Sequence, residues 1–254
     1  MPLMRLTGVD LNVEITGNGP ETLVFGHGLL WSGRMFEAQI AVLANRYRCI
    51  TIDWRGQGKS SAPPDGYDMD TLTEDALALI REVAGGPVHY VGLSMGGFVG
   101  MRLAIRHREW LKSLTLLETS ADPEPLAKRP KYSALTAVTR VAGVRAVAPS
   151  VMKVMFGKTF LKDAFRRAER EEMRRRLLEN DRRRIVPAIQ GVFSREGVYE
   201  YLHCITTPTL IIVGDEDVAT VPPSRGACST PYPAAGWWSF PARAIPRRWK
   251  RPAR

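Results

Sequence analysis

Gly92-Leu93-Ser94-Met95-Gly96 sets a serine between two glycines, where a β-branched and aromatic run (Val88 to Val91) gives way to a helix-like apolar run (Phe98 to Ile105). The pattern is G-x-S-x-G, a sharp strand-to-helix turn that lifts a serine Oγ above a sheet. Its chemistry would be nucleophilic. A serine there stands at a helix N-terminus, where unpaired N–H groups and the helix dipole favour a developing negative charge. The Met95 N–H is the natural oxyanion donor. The glycines answer a steric need, because Cβ atoms two residues before and after the serine would run into backbone in so tight a turn. The competing reading is a Gly-rich turn with an idle serine, and the flanking strand-like and helix-like runs argue against it.

Other strand ends carry chemistry-bearing residues. Glu21 to Phe25 reads as a buried strand ending in Gly26-His27-Gly28-Leu29-Leu30, and the Leu29 N–H can aim at the same point as that of Met95. His27 precedes the serine in a turn built from glycines, so it reads as a structural brace rather than a catalytic group. Asp53 to Ser60 forms a Gly-punctuated loop, but its lysine lacks the G-x-x-x-x-G-K-S/T spacing of a phosphate loop, which argues against nucleotide binding. Thr209 to Val213 is a strand whose end, Gly214-Asp215-Glu216-Asp217, gathers carboxylates, and the strand Leu111 to Leu117 ends at Glu118.

The elements that must position these groups alternate. Leu3 to Leu6 and Leu11 to Ile15 suggest an opening hairpin. Ser32 to Asn45 has helical periodicity, and Tyr47 to Asp53 is the kind of apolar run that parallel sheets bury. Thr71 to Val83 reads as a helix with Asp70 as N-cap and Gly85-Gly86 as its stop. The alternation predicts an α/β fold, a doubly wound, mostly parallel sheet with its sites at the strands' C-terminal ends. From Asp122 to about Leu202 the pattern is helical without strands, and nine arginines between Phe165 and Arg184 read as a solvated helix face. The expected division is a core over 1–121, a helical cap over 122–203, the acid strand and loop over 204–223, and a basic Pro/Trp/Arg-rich tail over 224–254.

With 254 residues, 44% of them hydrophobic, the chain can bury a full core. The net charge of +10 falls to 10 − 7 = +3 without the seven Lys/Arg of residues 224–254, which include no Asp or Glu. No nucleic-acid module accompanies it, so no nucleic-acid partner is expected. No apolar run is long enough to span a membrane, and Met1 to Asp10 is too short and too interrupted for a signal peptide. Cys49, Cys204 and Cys228 are scattered, with neither metal spacing nor a disulfide framework. These features lead to the expectation of a soluble, cytoplasmic protein without a membrane partner.

Taken together, Gly26-His27-Gly28, Asp53-x-Arg55-Gly56-x-Gly58-x-Ser60, Gly92-Leu93-Ser94-Met95-Gly96-Gly97 and Gly214-Asp215-Glu216-Asp217 occur in an order that resembles the α/β-hydrolase superfamily. Within it the chain is similar to bacterial esterases, 3-oxoadipate enol-lactonases and cofactor-free haloperoxidase-like hydrolases. The resemblance covers residues 1 to about 223. It implies Ser94 as nucleophile, Asp217 as the triad acid with Asp215 and Glu216 facing solvent or the loop, Glu118 as reserve acid, and Leu29 and Met95 as the oxyanion hole. The implied reaction is hydrolysis of a small carboxylic ester or lactone through an acyl-enzyme, with no metal or organic cofactor.

One member is missing. The family's histidine follows the acid, whereas here no histidine follows His203, and His27, His89, His107 and His203 all precede Asp217. The tail is odd in kind as well, holding Trp237, Trp238 and Trp249, half of all six tryptophans. Joining each codon's last base to the next codon's first two forces valine at Trp237-Trp238 and glutamate at Trp249-Lys250. It allows histidine at Ala244-Ile245, after a valine-rich run like the family's last strand. A frameshift near Pro223 to Ser224 is therefore expected, with the family's last strand and terminal helix lost and Thr209 to Val213 left as a bare sheet edge. The competing readings are a catalytically inert fold that binds a small molecule or partner, and an anion-binding protein using the basic tail.

Overall fold

The computed structural model describes residues 3–217 and the backbone of 235–240. In chain order the strands are β1 (Met4–Leu6), β2 (Val9–Leu11), β3 (Val13–Thr16), β4 (Glu21–Gly26), β5 (Tyr47–Ile52), β6 (Val88–Leu93), β7 (Leu111–Leu117), β8 (Thr209–Gly214) and β9 (Ala235–Phe240). The helices are α1 (Glu37–Leu43), α2 (Met69–Ala78), α3 (Met95–Arg106), α4 (Arg129–Ala142), α5 (Val144–Met155), α6 (Lys158–Lys162), α7 (Arg167–Leu178) and α8 (Arg182–Phe193).

Short apolar runs such as Val24-Phe25, Ile50 with Ile52, and Leu114 with Leu116 are buried, as strands covered on both faces require. They form one seven-stranded sheet in the order β3-β5-β4-β6-β7-β8-β9, parallel throughout except for β3, which runs antiparallel to β5. The chain leaves β4 for one side at β5 and returns to its other side at β6. The strand order therefore reverses between β4 and β6, and the crevice outside their C-terminal ends is where such sheets place ligands.

Three local expectations are corrected. The opening run is split: β1 and β2 pair through Thr7-Gly8, both at positive φ (48° and 81°), and β3 joins the large sheet. The break falls at Asn12, whose N–H donates to Ser60 Oγ (2.8 Å) and whose amide reaches Asp53 (3.0 Å). The α2 cap is Asp68, whose carboxylate accepts from the Thr71 N–H (2.8 Å). Asp70 instead faces the neighbouring helix and pairs with Arg102 (2.9 Å) and Arg106 (3.0 Å). Finally, the sheet does not end at β8. The backbone of Ala235–Phe240 lies parallel to it, in register from Thr209 opposite Ala235 to Gly214 opposite Phe240. An aromatic, β-favouring run can satisfy the backbone groups of an otherwise free edge, whatever its origin. The expected loss of the terminal helix falls on residues outside those described.

Between β7 and β8 the chain is helical. There α4 packs on α5 and α8, and α5 on α7. On α7 the arginines pair with glutamates one turn away, as Arg167 does with Glu171 and Arg175 with Glu172 and Glu179. Arg176, 11% exposed, pairs with Glu172 in the same way and also spans to Glu37 on α1 and to the Arg34 carbonyl.

Candidate active site

Ser94 joins β6 to α3 at φ 49° and ψ −110°, a conformation that L-residues avoid unless the surrounding structure enforces it. Backbone bonds enforce it here. The Ser94 N–H donates to the Leu117 carbonyl (2.9 Å), and the Ser94 carbonyl accepts from Gly97 N–H (2.8 Å), Phe98 N–H (3.0 Å) and Thr119 Oγ1 (2.9 Å). The flanking glycines are required by contact: a Cβ on Gly92 would meet the Gly96 carbonyl, and one on Gly96 the Gly26 carbonyl. The ends of β4 and β6 thus touch through backbone, and the loop after β4 lies beside the serine.

That loop is held from two sides. Leu30, at φ 72°, donates its N–H to Gln57 Oε1 (2.7 Å) and accepts at its carbonyl from Asn180 Nδ2 (2.9 Å), at the end of α7. Between these anchors the Leu29 N–H donates to nothing among the described residues, and the same is true of the Met95 N–H. Ser94 Oγ likewise has no hydrogen-bond partner among the described residues. It opens into a cavity of about 390 Å³ roofed by α4, α5 and α8, with Leu29, Phe98, Val147 and Ile189 among its apolar walls.

All four histidines are described, and each is committed elsewhere. His27 is fully buried. Its Nδ1 donates to the Gly28 carbonyl (2.8 Å) and its Nε2 accepts from the Trp54 N–H (3.0 Å). Burial holds its pKa below the usual histidine value, so it is a neutral brace. His89, at the start of β6 and far from its serine end, bonds Ser113 Oγ on β7 (2.8 Å), His107 at the end of α3 lies 3.6 Å from Glu74, and His203 is exposed beside Cys204.

The Asp53-to-Ser60 loop is equally structural. Asp53 accepts from the Gly33 N–H (2.7 Å), the Lys59 N–H (2.9 Å) and Asn12. Arg55 forms a two-point buried ion pair with Asp75 (2.6 and 2.8 Å), whose side chain is fully buried.

At the β7 and β8 ends stand the acids. Glu118 Oε1 accepts from the Gly214 N–H (2.6 Å). Burial, then the adjoining Asp217 carboxyl, pushes the Glu118 pKa up to about 8, so the two acids share a proton at neutral pH. Asp215 is exposed. Glu216 does not face solvent freely: it accepts from the Thr159 N–H (2.8 Å) and Oγ1 (2.7 Å), tying α6 to the acid loop. The structure thus brings Ser94 beside Leu29, and Asp217 beside Glu118. It brings no histidine to either pair. Among the described residues no cluster of three metal-ligating side chains occurs, and no helix is long and apolar enough to cross a membrane. Sequence reasoning missed Gln57 and Asn180, which hold the Leu29 loop, and Arg195, which lines the cavity. Only Gln57 sat in a motif that could have signalled it.

The model of the family described as alpha/beta hydrolase fold matches residues 21–228. A Bacillus subtilis protein named AB hydrolase superfamily protein YisY is 37% identical over 125 residues, a match spanning 49% of this chain and 46% of that protein. The 3-oxoadipate enol-lactonase 2 of Acinetobacter baylyi is 27% identical over 222 residues, 87% of this chain and 81% of its own length. Among solved structures, an enol-lactonase from Burkholderia xenovorans superposes with a TM-score of 0.84 at 24% identity, covering 94% of this chain and 91% of that one.

Proposed function

The chain belongs to the α/β-hydrolase family, and from that premise we propose that it is a serine hydrolase by lineage, built to open a small carboxylic ester or lactone through an acyl-enzyme at Ser94. The observation that carries this reading is the enforced positive φ of Ser94 at the mouth of the cavity, a cost that a mere connecting turn has no reason to bear. In the reaction Ser94 Oγ attacks the carbonyl, and the Leu29 and Met95 N–H groups hold the oxyanion. A histidine takes the serine proton and returns it to the leaving oxygen, Asp217 orients that histidine, and water then releases the acid. The helices of 122–203 act as a cap over the substrate. Enol-lactone hydrolysis by the Acinetobacter relative supports the substrate class.

This chain lacks the base, so its activity is impaired. We ascribe the loss to the shifted reading frame after about Ser224, which supplies tryptophans and arginines where the other frame allows a valine-rich strand and a histidine. Cytoplasmic location and independence of metal, cofactor and nucleic acid belong to the same reading. The second reading, an inert fold that binds a small molecule, is favoured by one observation: every histidine is bonded away from Ser94 or exposed. Hydrolysis of p-nitrophenyl acetate tests the two. Oxyanion stabilisation and binding without a working triad leave on the order of 10³ to 10⁴ over water. Turnover above that floor passes through Ser94 and is expected to fall to it in Ser94→Ala, and a rate above the floor that Ser94→Ala leaves unchanged would assign the activity elsewhere.

A further inference from the structure

The inference rests on Ser94 as the reacting centre and adds the kind of molecule that faces it. Arg195, just after α8, lines the cavity with a side chain only 6% exposed. Its guanidinium carbon lies 4.2 Å from the centre of the Phe98 ring. Phe98 is in the first turn of α3, with its N–H on the Ser94 carbonyl, so a buried cation stands one side chain from the serine.

The cation is only half satisfied. A guanidinium carries five N–H donors. Nη1 donates to Glu124 Oε2 (2.9 Å) and to the Val192 carbonyl (3.0 Å). Nε is buried without a partner, and Nη2, which keeps some exposure, bonds no described group, the side chain's hydrogen bonds both leaving from Nη1. The open Nε–Nη2 edge is a fork suited to two-point binding of a carboxylate. A purely structural ion pair has no reason to leave it open, because unmet donors on a buried charge are costly. The lining also tilts positive: Lys128, Lys131 and Arg195 stand against Asp122 and Glu124.

We propose that Arg195 is the anion-recognising group of this cavity and that the ester or lactone it takes carries a free carboxylate, which docks on the Nε–Nη2 edge while Glu124 keeps Nη1. Glu124 then holds the guanidinium in place and restrains its affinity, so that the anion can leave after reaction.

The test is binding, so it does not depend on turnover. Monomethyl glutarate and dimethyl glutarate differ by one charge and are titrated by calorimetry into the full chain carrying Ser94→Ala. The monoester is expected to bind on the order of tenfold tighter, as a hydrogen-bonded charge contact implies. Arg195→Gln should abolish that preference, Arg195→Lys should retain part of it, and Glu124→Gln should tighten the monoester several-fold. Equal binding of the two esters, no binding of either at millimolar concentration, or a preference that survives Arg195→Gln overturns the proposal. Should Arg195→Gln fail to melt cooperatively, Glu124→Gln decides: tightening supports the anion site, and no change or weakening overturns it. If the charge preference holds but ester turnover above the floor set by oxyanion stabilisation and binding ignores Ser94→Ala, the nucleophile assignment falls and the anion site stands. The converse pair of results leaves Ser94 standing and removes Arg195.

Discussion

On the β4–β5 side of the site each buried ionisable group faces fixed partners of the opposite kind, whereas on the β7–β8 side one carboxyl faces another. Asp53 is met by two backbone N–H groups and an asparagine, His27 by a carbonyl and an N–H, and Asp75 by both arms of Arg55. Glu118 has one N–H and the Asp217 carboxyl, and its pKa rises to about 8. The contrast separates two uses of buried polarity. A group whose bonds are all supplied by the fold is scaffolding. An acid left against another acid is a perturbed pair, and under the proposed function it is a relay whose histidine is missing.

The contrast is sharpened most by supplying that member. A one-base correction near Ser224 should bring a histidine about 27 residues beyond Asp217, by the codon arithmetic above, and raise ester or lactone hydrolysis on the order of 10³-fold or more, since serine, histidine and acid act as a unit. Sequencing the gene's 3′ end and assaying the corrected protein would check it; a corrected, folded chain no faster than this one leaves the inert reading in place. The scaffold side should break next most severely. Asp75→Ala strands Arg55 in the interior and should cost about 3–5 kcal/mol, read as a lower denaturant midpoint at unchanged m-value. Gly96→Ala, which forces a methyl into the Gly26 carbonyl, should cost about 1–3 kcal/mol by the same measurement and loosen the touching strand ends.

A further effect concerns pH. Folded Glu118 keeps a proton up to about 8, while the unfolded chain releases it near 4.5. Between those values the folded state binds more protons, so this contribution is fully present below about 4.5 and is lost as pH rises through about 8. Melting temperature should therefore fall across that window, and Glu118→Gln should flatten the slope. A slope equal in both proteins would show that the pair does not share a proton.

Much of the site was legible because its logic is local. The glycines around Ser94 and the strand ends at Gly26, Glu118 and Gly214 announce themselves by spacing and by hydrophobic period. What escaped depends on partners far apart in the chain. Asp70 reads as the cap in the sequence, and only the arginines of α3 draw it away to the neighbouring helix. Nothing near Asn180 says that it will hold the Leu30 carbonyl, 150 positions away. Nothing near Arg195 in the sequence says that Glu124 and Phe98 will close around it. The strand Ala235–Phe240 escapes for a different reason: hydrogen-bonding demand at an open edge asks for a compatible backbone and not for a family-like sequence.

The backbone of Ser94 also dates the chain's history. Holding a non-glycine residue at φ 49° costs on the order of 1–3 kcal/mol. Ser94→Gly would relieve most of it, less the entropy that glycine adds to the unfolded state, a net gain of about 1 kcal/mol or 2–4 °C in Tm. A lineage that had long done without the reaction would drift toward such relief, because no selection would guard the strained serine against a common, stabilising change. If the proposed frameshift removed the relay, strain still in place at Ser94 would date that loss as recent on the evolutionary clock.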